Sequence, residues 1–550
     1  MDNNNTNTIA ERSDRTAAAD ARSRRANRKK AQIFYYTILG LILLMLIVQI
    51  TTVVAICRLG MLPVLLIILI ILVFLAYDCL VGYFMFLRGR KVPRKMARKV
   101  AKKRRLIACV LALVMLLGCI VISTVANDVR KTFEAAQAAQ QQQQLEAENK
   151  GITRTVYVRS FDSAQELVDA KDYSFGIITG YDDVCTQQAI AAIEAEVGGK
   201  INTKSYLSVF EMANALMAGQ LDAMILKDGY ISILEADSRY EMFSENTRHL
   251  AEVQIEGDGE ELDGSGLLLN TEADIAENGK LKPFIMYISG SDSREGTLDG
   301  NTRSDVNILA VVNPETRQVL LLNTPRDYYV PMPKAEGAYD KLTHCGVYGV
   351  SCSMQALAAL YDHEVQYYAQ LNFEGFTKLV DAIGGITVES DVAFTLYKKA
   401  GNIKVGENEL NGKKALAFAR TRKGLDGGDH DRGNNQMKVI KAIIEKATTG
   451  TTIITNYSAI MESIDGMFVM NVPMSLIGEI VKRQLADMSG WNIVSYSVKG
   501  EGENLECYSA PGELLYAIRP NQSYVSKASA LIDKVFAGEI LTDEVMASTR

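Results

Sequence analysis

Between residues 292 and 436 the sequence places arginines and aspartates at the ends of predicted elements. Asp292 and Arg294 follow one predicted strand, Arg303 and Asp305 precede the next, and Arg326 and Asp327 end a third. Arg420 and Arg422 follow a predicted helix. Arg432 stands two residues before another helix, expected to begin near Asn434, with Gln436 in its first turn. Element ends on a rigid scaffold are where sites are built. Guanidinium forks match phosphate oxygens bidentately, and a helix N-terminus adds N–H groups and partial positive charge. Two aspartates in such a set would repel a phosphate unless a cation lay between them. Mg2+ suits that position, because it binds through one or two carboxylates plus substrate phosphates. The residues therefore point to Mg-assisted chemistry on a phosphate ester or pyrophosphate. Any one Arg–Asp pair, taken alone, is better read as ordinary surface ion pairing.

The elements that must carry these residues alternate. PFIMYISGSDS is an apolar strand ending in a polar turn, and VNILAVV, a turn at 313–316 and VLLLNTPRD form a hairpin. Helical spacing follows at 351–361 and 374–383. A Gly384–Gly385 turn leads to a strand at 386–389, then to helices around 413–418 and from Asn434. Alternation of this kind gives an α/β sandwich, assigned to 283–452, with 453–550 as a less readable C-terminal extension expected to complete the domain. Residues 152–257 show further strands (TVYVRS, YSFGIIT) and helices and form a small α/β accessory domain. An acidic, glycine-containing linker at 258–282 separates the two.

The front of the chain differs in kind. Three apolar stretches, near 33–56, 61–87 and 106–126, are each about the 20 residues needed to cross hydrocarbon. The first is too long for a cleaved signal peptide and lacks a small-residue cleavage site. A basic tail (1–32) precedes them, and the loop at 88–105 holds eleven basic residues and no acid. Excess Lys and Arg marks the cytoplasmic side, so three spans put everything after 127 outside the cell. Asp78 interrupts the second span, and pairing with a neighbouring arginine is the expected reason. Residues 127–151, rich in Ala, Gln and Glu, read as a helical stalk. After residue 105 the chain carries 39 basic and 60 acidic residues, a net charge near −21, which argues against nucleic acid as a partner. None of the eight cysteines has zinc-site spacing. Cys345 and Cys352 are equally compatible with a disulfide and with buried thiols.

The motifs SGSDS, TRSDVNILAVVNPET, LLNTPRDYYVP, DKLTHCGVYGV, YYAQLNFEGFTKLVDAIGGITV, ALAFARTRKG and GGDHDRGNNQMKVIKAI follow one another over about 285–447. In that order they resemble the LytR–CpsA–Psr cell-wall glycopolymer ligases, and the three spans, stalk and accessory domain resemble the capsule-type branch. The resemblance implies an α/β/α sandwich enclosing an apolar tunnel for a polyprenyl chain, with Phe373, Phe376, Leu379, Val380 and Ile383 as candidate lining. Helical spacing is also what plain core packing requires, and core is the better reading for most of these five. The resemblance implies that Asp292 and Asp305 bind Mg2+, with Mn2+ as the alternative ion. It further implies that Arg303, Arg326, Lys341, Arg420, Arg422, Arg432 and Gln436 contact pyrophosphate, with Arg303, Arg326 and Asp305 catalytic. The implied reaction moves a glycan from undecaprenyl pyrophosphate to a peptidoglycan hydroxyl at the cell membrane, together with other capsule or wall-assembly proteins. Capsule polysaccharide, teichoic acid and other wall polymers all fit, and the resemblance in domain order favours capsule. A hydrolase of the lipid carrier and a lipid-binding scaffold are the rival readings. The sequence departs from the family in Asn435, where arginine often stands before the glutamine, and in Cys345 and Cys352. His344 and His430 lie beside site residues; either is a candidate for relaying a proton, but a neighbour of a motif is more often structural.

Overall fold

A computed structural model describes residues 3–60, 62–86, 94–149, 152–179, 183–255, 275–291, 303–422, 425, 429–449, 460 and 467–549. Two compact units result, Met1–Thr132 with Val481–Asp487 and Phe133–Ile480 with Met488–Arg550.

The first unit holds helices α1 (Asn3–Leu59), α2 (Val64–Phe86) and the start of α3 (Arg94–Asn149). Within them Arg28–Leu59, Val64–Phe86 and Val100–Lys131 are long and apolar enough to cross a membrane. In hydrocarbon a polar side chain must find its partner inside the bundle, and three contacts meet that need. Gln49 Nε2 donates to Asp78 Oδ1 at 3.1 Å, Thr52 and Ser123 hydroxyls lie 2.8 Å apart, and Tyr77 OH donates to the Leu111 carbonyl at 3.0 Å. Asp78 is thus held by Gln49, not by the arginine expected. It stands eight residues from the end of α2, about 12 Å along the axis, whereas Arg104 and Arg105 lie over the rings of Tyr83 and Tyr35. Helix α3 runs unbroken to Asn149, so most of the basic loop and the stalk are one helix with the third apolar stretch.

In the second unit, β1 (Ile152–Arg159), β2 (Ser174–Ile178), α4 (Asp183–Val197), β3 (Asn202–Tyr206), α5 (Val209–Met217), β4 (Ala223–Leu226), α6 (Gly229–Leu234) and β5 (Thr247–Ile255) come first. Their strands form a mixed sheet in the order β3-β2-β4-β1-β5. Helix α5 begins where the Ser208 hydroxyl accepts from Glu211 N–H and buries Phe210, Met212 and Leu216.

The larger sheet uses β6 (Phe284–Ser291), β7 (Ser304–Asn313), β8 (Gln318–Asn323), and, beyond the two-stranded ribbon of β9 (Tyr329–Pro331) and β10 (Tyr339–Lys341), β11 (Tyr367–Asn372). The intervening helix α7 (Val350–Tyr361) is followed, after β11, by α8 (Phe373–Ala382), β12 (Ile386–Ser390), β13 (Gly406–Leu410), α9 (Gly412–Arg420) and α10 (Asp429–Thr448). Strands β14 (Phe468–Met470) and β15 (Asn492–Ser497), the hairpin β16 (Gly500–Cys507) and β17 (Ala510–Pro520), and α11 (Gln522–Phe536) complete it. Sheet order is β14-β11-β6-β7-β8-β15, with β6, β7 and β8 antiparallel, and β15 and β11 parallel to β8 and β6.

Strand β7 is buried along most of its length, as a strand covered on both faces must be. Its odd residues Leu309 and Val311 pack with α7 and α11, and its even residues Ile308, Ala310 and Val312 face the opposite way, with Met437 of α10. An α/β/α sandwich results. Its limits differ from 283–452. Strands 468–470 and 492–497 pair in the central sheet, and Val525, Leu531, Ile532 and Val535 of α11 are buried against one face. The last motif's helix also starts earlier than expected, at Asp429, so Arg432 lies in its first turn and Gln436 in its second. Glycine and asparagine are poor helix formers, but close packing overrides the preference here. A Cβ on Gly433 would lie 2.3 Å from the buried amide nitrogen of Asn323. Leu531→Ala should destabilise the protein by about 2–5 kcal/mol, the range for a buried leucine, measured by thermal unfolding of the full chain in detergent. A change within about 0.5 kcal/mol, typical of surface positions, would mean that α11 is not part of this core.

Candidate active site

One face of the large sheet is not filled by side chains. A cavity of about 1150 Å3 lies between that face and α8, α9 and α10. Ile288, Ala310, Val312 and Val319 line it from the strands, Phe373, Phe376 and Leu379 from α8, Leu416 from α9, and Val439, Ile440, Ile443 and Ile444 from α10. Phe373, Phe376 and Leu379 thus line the cavity, while Val380 and Ile383 are buried in the core between α8, α9 and β12.

Polar residues also line this cavity: Asp305, Arg420, Arg422, Arg432 and Gln436. Arg420, the last residue of α9, lies over two rings, 4.2 Å from the Phe373 centroid and 4.9 Å from that of Tyr397. Both faces of that contact favour a cation. Arg432 and Gln436 lie one turn apart on α10 and are buried. Asn435, where the sequence departs from the family, donates its amide to the Phe418 carbonyl at 3.4 Å and is buried against α9.

Asp305, on β7, joins this group to a second one. Arg326 Nη1 donates to its Oδ1 at 2.8 Å, and Arg326 Nε lies 3.5 Å from Asp327 Oδ2. Asp327 Oδ1 in turn lies 3.5 Å from Lys341 Nζ. The two carboxylates therefore flank one guanidinium, with side chains only 16–20% exposed. Arg303 immediately precedes β7, close enough to the His344 ring to disfavour its protonation. Seven of the nine sequence-derived site residues, Asp305, Arg326, Lys341, Arg420, Arg422, Arg432 and Gln436, are thus placed in these two adjoining groups, and Arg303 lies two residues before Asp305. Asp292 lies outside the described residues, as does Arg294. Among the described residues no cluster of three or more His, Cys, Asp or Glu side chains is arranged to hold a metal. Asp305 does offer a hard oxygen donor at the cavity, which fits an ion that takes one or two carboxylates and completes its shell with phosphate and water.

The profile of the LytR_cpsA_psr family matches residues 243–521. The chain belongs to this family. It is 32% identical over 233 residues to a polyisoprenyl-teichoic acid–peptidoglycan teichoic acid transferase, TagU, of Halalkalibacterium halodurans, covering 42% of this chain and 70% of that protein. TagU of Bacillus licheniformis is 31% identical over 40% of this chain and 70% of its own length. The crystal structure of B. subtilis TagU superposes with a TM-score of 0.37 at 26% identity, over 48% of this chain and 100% of that one.

Sequence reasoning missed Tyr397, Lys398 and Lys399 of this family member's cavity wall. Both lysines adopt left-handed backbone, with φ of 52° and 58°, a conformation that costs a non-glycine residue and tends to cluster at functional sites. The adjacent basic pair was the available signal. Also unforeseen was the node beneath Lys341. Asp340 and His344 are fully enclosed, with His344 Nδ1 2.8 Å from Asp340 Oδ1 and 2.8 Å from Ser509 Oγ. Ser509 N–H and Lys341 N–H donate to the two oxygens of Asp340 at 2.8 and 2.7 Å. His344 therefore serves packing here. Cys345 and Cys352 are free, buried thiols, and the Cys352 thiol together with burial pushes the Cys345 thiol well up.

Burial lowers the pKa of His344, against the pull of Asp340. Burial raises that of Asp340, but His344 and the hydrogen bonds from Ser509 outweigh it and hold the carboxyl below its usual range. Both folded values then lie below the unfolded ones, so the unfolded chain takes up more protons as pH falls. Stability from the pair is complete above about pH 6.5 and is lost as pH falls below it, first through His344 and then through Asp340. His344→Gln, which keeps an N–H donor, should flatten the decline in melting temperature between about pH 6.5 and 5. Parallel pH profiles for the two proteins would remove His344 from the account.

Proposed function

We propose that this protein is a membrane-anchored phosphotransferase that moves a glycopolymer from a polyprenyl pyrophosphate carrier onto peptidoglycan. The observation that carries this reading is the junction of an apolar cavity with a cluster of arginines. A prenyl chain needs the first and a pyrophosphate needs the second, and they adjoin at Asp305, Arg420, Arg422 and Arg432. The cavity exceeds the roughly 300–1,000 Å3 of most small-ligand pockets, as a long tail requires. The transferase names of the relatives agree, and they favour teichoic acid over capsule polysaccharide as the glycopolymer. Positive-inside asymmetry favours a cytoplasmic basic tail and an extracytoplasmic chain after residue 127.

In this mechanism Arg420, Arg422, Arg432 and Gln436 hold the pyrophosphate while the cavity keeps the prenyl tail. Arg326 and Arg303 stabilise charge on the phosphorus under attack, the sugar-proximal one. An acceptor hydroxyl displaces polyprenyl phosphate, leaving the glycan joined through a phosphodiester. Phosphoryl transfer depends mainly on such positioning and charge neutralisation. Mg2+ held by Asp305, with Asp292 expected beside it, would add charge neutralisation between the carboxylates and the phosphates. Asp305 is engaged by Arg326, and the acceptor hydroxyl's proton is released to solvent.

Full-length protein in detergent, given Mg2+, a polyprenyl-pyrophosphate-linked sugar and peptidoglycan fragments, should yield a phosphodiester conjugate detectable by mass spectrometry. Arg326→Ala should lower the rate by roughly 10²-fold or more, since one donor on a developing anion contributes about 3 kcal/mol. Asp305→Asn should raise the Mg2+ concentration needed for half-maximal rate. Free sugar phosphate with no conjugate would replace the ligase by a hydrolase. Near wild-type transfer by Arg326→Ala would strip that residue of its role.

A further inference from the structure

Beyond the cavity, an exposed aromatic surface adjoins the same charged cluster. In the β9–β10 ribbon Tyr329 pairs with Lys341 and Pro331 with Tyr339. Alternation along a strand puts Tyr329, Tyr339 and Lys341 on one face and Val330 and Asp340 on the other. The second pair is fully buried. The first face carries Tyr329 and Tyr339 stacked, with ring centroids 5.2 Å apart and planes 19° apart, and Tyr339 is 44% exposed. Neither tyrosine lines the cavity. Lys341 on that face reaches Asp327, which flanks Arg326, so the aromatic face and the phosphate cluster are continuous.

The stack is held from behind. Tyr329 OH donates to the Glu506 carbonyl at 2.7 Å, and the Tyr339 carbonyl accepts from Tyr508 N–H at 2.9 Å. At its edge stands a charged fork. Tyr328 bridges Ile518, which brings Arg519 beside Tyr329, and Arg519 holds Glu503 through two hydrogen bonds of 3.1 and 3.0 Å. The exposed Tyr339 ring, backed by Tyr329 and bordered by planar hydrogen-bonding groups, suits a ligand with one apolar C–H face and a rim of hydroxyls. That is a pyranose ring. Tyrosine supplies such contact area at low entropic cost.

We propose that Tyr329 and Tyr339, with Lys341 and the Arg519–Glu503 pair, form a saccharide-binding subsite that seats a sugar ring next to the phosphorus under attack. This rests on the transferase reading above, because the subsite gains its purpose from the phosphate cluster. The ring belongs either to the donor glycan or to the peptidoglycan acceptor. A lipid tail is not the occupant, since the cavity that suits it lies elsewhere.

The test uses full-length protein in nanodiscs and the variant Tyr339→Ala, whose backbone contact with Tyr508 is retained. Melting temperature is recorded first, and Tyr339→Leu serves if the alanine variant does not fold. Binding of muramidase-released peptidoglycan fragments, and separately of the lipid-free donor oligosaccharide, is measured by calorimetry without turnover. Affinity for one of the two should fall about tenfold or more in the folded variant. Loss confined to the fragments assigns the subsite to the acceptor, and loss confined to the oligosaccharide assigns it to the donor. Unchanged affinity for both, in a folded variant, overturns the proposal. Because binding is read without catalysis, a wild-type protein that binds saccharide but transfers nothing would sink the transferase reading and leave the subsite standing.

Discussion

The site depends on holding cations beside an apolar cavity, where water would otherwise claim them. A charge withdrawn from water needs partners close by. Arg420 meets the need with two aromatic faces, Phe373 and Tyr397, and Arg326 with the Asp305 and Asp327 carboxylates. Each partner comes from an element that is itself fixed. Phe373 opens α8, whose start is capped by the Asn372 side chain accepting from Gly375 N–H. Asp305 lies on β7 at a register irregularity, between Ser304, paired with Ser291, and Val306, paired with Gly290. The empty volume is possible because the sheet's other face is densely packed by α7 and α11 and gives the fold its stability.

That same constraint explains the crowding under the first turns of α10. Asn323 Nδ2 donates to Ser497 Oγ, and Ser497 Oγ donates to Asn434 Oδ1, each at 3.2 Å. Gly433 is what lets the helix approach this network. The helix is thereby locked to β8 and β15, and Arg432 and Gln436 inherit a fixed position at the cavity. A larger residue at 433 would move the arginine that the site needs.

Much of this was legible before the fold was seen. The β6–β7–β8 order, the helices at 350–361 and 373–382, and the placing of arginines at element ends follow from periodicity and from turn residues such as Gly384 and Gly385, whose φ values are 79° and 78°. What periodicity does not carry is partnership between distant segments. Strand 492–497 joins β8 in parallel, and nothing local in NIVSYS names that neighbour. The helix expected near Asn434 starts at Asp429 for a related reason: the buried Asn323 under Gly433 and the Ser497 hydroxyl bonded to Asn434 come from distant segments. Asp78 shows the same limit in the membrane unit, where its partner Gln49 is 29 residues away.

The accessory domain is joined to the catalytic sandwich by more than a chain. Tyr230 OH and Tyr348 OH lie 2.9 Å apart, the Tyr348 and Tyr508 rings are 6.0 Å apart, and Val347 and Ala510 are buried in the accessory domain's own core. Arg239 adds an ion pair to Glu513 at 3.3 Å. Tyr348 follows the DKLTHC segment by three residues, and Tyr508 precedes Ser509, which contacts Asp340 and His344. The two domains therefore share the stretch of chain that supports Lys341. Interdomain motion would expose Val347 and Ala510 and separate the tyrosine hydroxyls, so the packing opposes it. The accessory domain is then held at a fixed place relative to the segment that carries Lys341.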